Sequence, residues 1–184
     1  MVSLIVVVLL FAPPVRDGLE SWMTTHVTVQ LTGLVFAGWC LGIALRRPLS
    51  GVCRLCNQYG LCGLTIGLFT ALFWMLPRSL DEAIVNMPIE IAKFLTVPLL
   101  VGLPLSLSWP SLNPILRGFL KATLISKLAV LGWIYAVIPS RLCTNYLLSD
   151  QMLLGEILCI LAGVLAIAWS LPWFLTEDST ADAR

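Results

Sequence analysis

Charge is scarce in this chain, and neither sign prevails: 11% of its 184 residues are Asp, Glu, Lys or Arg, eleven basic against ten acidic, for a formal net charge of +1. Soluble domains carry about 25% charged residues, so a water-facing surface over most of the molecule is excluded. With no net basic field and no polybasic or acidic run, nucleic acid is excluded as the leading partner. Histidine occurs once, as His26. That excludes bis-histidine haem ligation and multi-histidine zinc sites made from this chain alone. The sequence also lacks a Ser/His/Asp set, paired carboxylates on one helix face and a Gly-rich phosphate loop before a helix, so no residues stand ready for catalysis and a non-enzyme is expected.

What is there is apolar. Hydrophobic residues make up 59% of the chain and the mean hydropathy is +0.95. Apolar stretches at 2–15, 23–45, 59–77, 91–109, 122–139 and 152–175 are separated by short segments holding most of the charge, Pro and Asn. A helix needs about 20 residues to cross the hydrocarbon core. The expected fold is therefore all-α: one polytopic transmembrane bundle over residues 1–175, about six spans, and a polar C-terminal tail at 176–184. The first stretch is short for a span, and as a signal peptide it would lack a basic n-region and a small-residue cleavage site.

Lys and Arg set the orientation. Arg46, Arg47 and Arg54 follow the second span, and Arg117 and Lys121 precede the fifth, so by the positive-inside rule those two loops and both termini are cytoplasmic. The other loops are acid-rich, with Asp17, Glu20, Asp81, Glu82, Glu90 and Asp150. This pattern predicts a multi-pass membrane protein in contact with lipid. Pro98 and Pro104 predict a kinked or locally unwound fourth helix. Gly33, Ala37 and Gly38, and then Gly60, Gly63 and Gly67, predict close helix approaches. Lys93 and Glu156 are costly in lipid and are expected to pair between helices four and six.

Met23, His26 and Gln30 share one helix face by their spacing of three and four, and Met75, Met87 and Met152 fall on the same extracytoplasmic side. Thioethers plus one imidazole suit Cu(I), which needs only two or three ligands. The alternative is that these methionines fill gaps between helices and His26 is an interfacial polar group with a hydrogen-bond partner. Cys53, Cys56 and Cys62 lie on the expected cytoplasmic side, where thiols stay reduced, and read as ordinary thiols; no structural disulfide is expected.

Four short motifs carry a resemblance. His26-Val27-Thr28-Val29-Gln30 follows Pro13-Pro14 and an acidic loop; Trp74-Met75-Leu76-Pro77 precedes Leu80-Asp81-Glu82-Ala83. Lys93-Phe94 opens a helix that Trp109-Pro110 closes, and Tyr146 precedes Asp150-Gln151 and Gly155. In this order they resemble the bacterial cytochrome c oxidase assembly factors of the caa-type CtaG family, multi-pass inner-membrane proteins linked to copper delivery. The chain is similar to a shortened member in which Gln30, Met75 and Lys93 stand where the family has histidine. The resemblance implies an assembly factor for a copper-containing respiratory oxidase that binds or passes Cu(I) outside, through His26, Met23 and Met75, with Gln30 as a weak group and Met152 in reserve. Loss of the family's histidines equally implies a metal-free structural or accessory subunit of a larger membrane complex. A small-molecule transporter, resting on the Pro-broken helix, ranks third.

Overall fold

A computed structural model of the protein describes residues 2–143 and 145–181, and no strand occurs among the described residues. The first apolar stretch does not form one span. Helix α1 covers Val2–Phe11 and α2 covers Pro13–Glu20, opened by proline in its first turn. Between them Ala12 is extended, with ψ 127°, because a residue before proline is driven out of the helical region. Ten residues rise about 15 Å, half of a roughly 30 Å hydrocarbon core, so the expected span at 2–15 is corrected to a short helix followed by a polar one.

Four described helices are long and apolar enough to cross a membrane: α3 (Met23–Leu45), α7 (Met87–Ser111), α8 (Pro114–Val137) and α9, whose apolar part is Leu148–Leu171. The short α4 (Ser50–Cys56) joins α3 to α5 (Leu61–Trp74). Helix α6 (Pro77–Val85) is bent 70° from α5, and the pair counts as a fifth span only if taken together. The bend has the same cause as the first, with Leu76 extended before Pro77. Four helices, or five spans with the bent pair, thus stand where six spans are expected. Helix α9 runs on to Ala181, so residues 176–181 continue it rather than forming a separate tail. The last three residues of the expected tail, 182–184, lie outside the described residues.

Helix α7 is the central element: 44% of its span is buried, against 11–28% for the other three. It packs on α3 through glycines. A Cβ on Gly42 would stand 2.8 Å from the carbonyl oxygen of Leu103 and would overlap the Ser106 hydroxyl, and one on Gly102 would stand 2.7 Å from Gly38 Cα. Only glycine lets the two backbones approach so closely. The prolines act as expected, because Val97–Gly102, with Pro98 in its first turn, is a π-helical turn. Its wider winding accommodates the donor that proline lacks. On the far side of α7, the Trp74 indole donates to Thr96 Oγ1 at 2.9 Å and ties down the end of α5.

Helices α8 and α9 form a hairpin of their own. A Cβ on Gly132 would come 2.8 Å from the Gly155 carbonyl oxygen, and one on Gly155 would come 2.7 Å from that of Gly132. The hairpin meets the rest of the protein chiefly at one end, where Tyr146, Cys143 and Leu154 pack with Met23 at the start of α3. That junction is where the polar side chains gather.

Candidate functional site: a buried ionic cluster at the start of α3

Lys93 lies one turn into the apolar part of α7 and is fully buried. An ammonium has three donors and no acceptor, and all three are spent. Lys93 Nζ donates to Glu20 Oε1 at 3.0 Å, to Gln30 Oε1 at 3.1 Å and, more weakly, to His26 Nε2 at 3.5 Å. Its counter-ion is therefore Glu20, at the end of α2, and not Glu156, which is exposed on α9. That correction follows from topology: the short polar α2 folds over the mouth of the bundle and brings its last residue to α7.

The remaining bonds fix the imidazole. Tyr146 Oη donates to the Glu20 carbonyl oxygen at 3.0 Å, so its one hydrogen is used and it accepts from His26 Nδ1, also at 3.0 Å. The network thus assigns the hydrogen to Nδ1 and leaves the Nε2 lone pair facing Lys93. Tyr146 stays a phenol, since burial, reinforced by Glu20, raises its pKa well above the ordinary value. Gln30 closes the ring by donating from Nε2 to Glu20 Oε1 at 3.0 Å. His26 and Gln30 are aimed inward together by a second π-helical turn, His26–Leu31. Such turns recur at functional sites in helices. Unlike the one in α7, this turn contains no proline.

A second layer surrounds the first. Arg16 pairs with Asp17 at 2.9 Å and with Glu90 at 3.3 Å, and the Asp17 hydrogen bond, the largest influence, raises the Arg16 pKa. Glu90, three residues before Lys93, is buried, and its Oε1 has no partner among the described residues. Gln151 pins the loop that presents Tyr146, accepting from Leu142 N at 2.8 Å, while Asn145 donates to the Asp81 carbonyl oxygen at 3.1 Å. Cys143 is buried within this loop, and burial pushes its thiol up to about 12.

Of the expected ligand set, the structure brings together only His26 and Gln30, and through Lys93. Met23 is fully buried, but in the apolar cluster with Tyr146, Leu154 and Leu158. Met75 caps α5, half-buried, and Met152 is exposed on α9. The partners of His26 are Lys93 and Tyr146. A cation bound at Nε2 would have to share its place with the Lys93 ammonium, so the residues as arranged do not fit Cu(I). Among the described residues no group of three or more His, Cys, Asp or Glu side chains is placed to hold a metal ion. Glu20 and Tyr146 are the site residues that spacing alone overlooks. The signal for Glu20 is the lysine at the edge of the apolar stretch 91–109, which demands a carboxylate; Glu90, one turn before it on the same helix, is the nearer acid in sequence but pairs with Arg16.

No family model, curated protein or solved structure matches the chain. The likeness to the oxidase assembly factors rests on the short motifs alone.

Proposed function

We propose that the protein is a non-catalytic, multi-pass accessory subunit of a larger membrane complex, and that its buried cluster is a clamp joining α2, α3, α7 and the α8–α9 hairpin. The observation that carries this reading is the closure of the cluster: Lys93 spends its third donor on the one nitrogen of His26 that could bind something else. A buried ion pair is poor at adding stability and is better suited to specifying one arrangement. What the protein presents outward is apolar, and α8 and α9 expose most of their spans, only 11% and 22% being buried. Those faces are available to lipid or to neighbouring helices. In this reading the basic end faces the cytoplasm of a bacterial inner membrane and the cluster faces outward.

A second reading, Cu(I) handling in oxidase assembly, is favoured by one specific feature. The Lys93–His26 contact is the longest in the ring, and the orphaned Glu90 Oε1 lies one turn away on the same helix as an alternative acceptor. If Lys93 turned to Glu90, the His26 Nε2 lone pair would be freed.

Purification from the native membrane, followed by anaerobic Cu(I) loading of the wild type, Lys93→Met and His26→Ala, separates the two. The accessory reading expects a co-purifying membrane partner and no copper in any of the three. A solitary chain whose wild type holds one Cu(I) that His26→Ala loses overturns it in favour of copper handling.

A further inference from the structure

The end of the bundle opposite the cluster has the reverse charge. It holds Arg46 and Arg47 after α3, and Arg117 and Lys121 in the first turns of α8. The sequence has no Asp or Glu between residues 21 and 80 or between 91 and 149, and the next acid on α9 after Glu156 is Glu177, about two turns past Trp169. None of these four basic residues forms an ion pair among the described residues. Instead, two of them are anchored to the end of α7. Arg46 donates one terminal nitrogen to the Ser106 carbonyl at 3.0 Å, and Arg117 donates one to the Pro110 carbonyl at 3.0 Å. The Arg117 guanidinium lies over the Trp109 ring at 5.9 Å, and Trp109 stacks edge-on against Trp39. One turn further along α8, Lys121 lies over Trp169 at 5.3 Å. Arg117 Nε has no acceptor among the described residues.

We propose that Arg46, Arg117 and Lys121, floored by Trp109, bind the phosphate of an anionic phospholipid. Carbonyl and ring contacts hold each cation in place while leaving guanidinium and ammonium hydrogens unspent, and preorganised donors bind at lower entropic cost. The guanidinium fork matches phosphate oxygens. Location selects a lipid over a free anion, because the three cations sit at the ends of apolar helices, at headgroup depth, with tryptophans beside them as at membrane interfaces. The flanking apolar faces of α7 and α8 would take the acyl chains.

The test is native mass spectrometry of the full chain released from nanodiscs of phosphatidylcholine doped with phosphatidylglycerol. The wild type retains phosphatidylglycerol in preference to phosphatidylcholine. Arg46→Gln/Arg117→Gln weakens that retention about 25-fold and Lys121→Gln about fivefold, taking the usual contribution of a basic residue at an anionic membrane surface. Lys121 makes no hydrogen bond among the described residues, so its variant keeps the test valid if the double variant is unstable. Arg78→Gln, an exposed cation at the other end, changes nothing. Equal retention of the two lipids, or unchanged retention in Lys121→Gln, overturns the proposal; so does displacement of the lipid by millimolar inorganic phosphate, which would mean a site for the free anion.

Discussion

At the Glu20 end, segments up to 126 residues apart in sequence meet through charged and polar side chains, Tyr146 reaching back to Glu20 and Lys93 to Glu20, His26 and Gln30. At the Arg46 end α3 and α5 meet α7 with no ion pair among the described residues. There Asn57 donates to Ser108 Oγ at 2.8 Å and accepts from Gly63 N at 3.1 Å, and Gly42 and Gly63 let backbones touch. The difference separates two tasks. Glycine packing gives dispersion contacts over a large area and tolerates small shifts. A buried ammonium tolerates none, because losing any acceptor leaves a desolvated charge behind. The Glu20 end therefore fixes which segments meet, and the Arg46 end supplies close packing.

The largest effect that would break this comparison is expected from Glu20→Gln, which strands the Lys93 charge in an apolar helix and should cost about 3–5 kcal/mol. Adding Lys93→Met to the same chain should recover most of that loss in thermal or SDS unfolding. No recovery would mean that Glu20 acts through something other than the ion pair. At the other end, Gly42→Leu should cost about 1–3 kcal/mol by forcing α3 from α7, and no second substitution of a charged residue should restore it. Tyr146→Phe removes the hydrogen bond to the Glu20 carbonyl and the one accepted from His26 Nδ1, and by leaving that buried N–H unpaired should cost about 1–3 kcal/mol. Because Tyr146 titrates above the ordinary phenol range, its contribution should not change between neutral pH and pH 9. A pH-dependent loss there would show a phenol in contact with water.

Much of the scaffold could be read from the residues. Hydropathy alone located α3, α7 and the apolar part of α9 to within four residues but began α8 at 122, eight residues after Pro114, and Pro98 foretold the irregular turn in α7, since proline's missing donor acts locally. The break at Ala12 was also written in Pro13, but uniform apolarity over 2–15 masked it. The π turn at His26–Leu31 has no such marker, because it arises from what His26 and Gln30 reach across the bundle. For the same reason the partner of Lys93 was misjudged. Hydropathy places Lys93 and Glu156 at similar depth, but depth does not say which faces turn together, and α2 folds Glu20 over the mouth by tertiary contact. Ligand spacing put Met23, His26 and Gln30 on one face without showing that a lysine from another helix would meet them there.

The central claim is that His26 is closed by Lys93 and Tyr146. A single histidine makes it directly observable, since 15N-histidine labelling gives the NMR signal of one ring. The account predicts a neutral imidazole with the hydrogen on Nδ1 and a bare Nε2, unchanged by added Cu(I), and a shifted Nε2 resonance in Lys93→Met. An Nε2–H tautomer, or a wild-type Nε2 signal that moves with Cu(I), would contradict it.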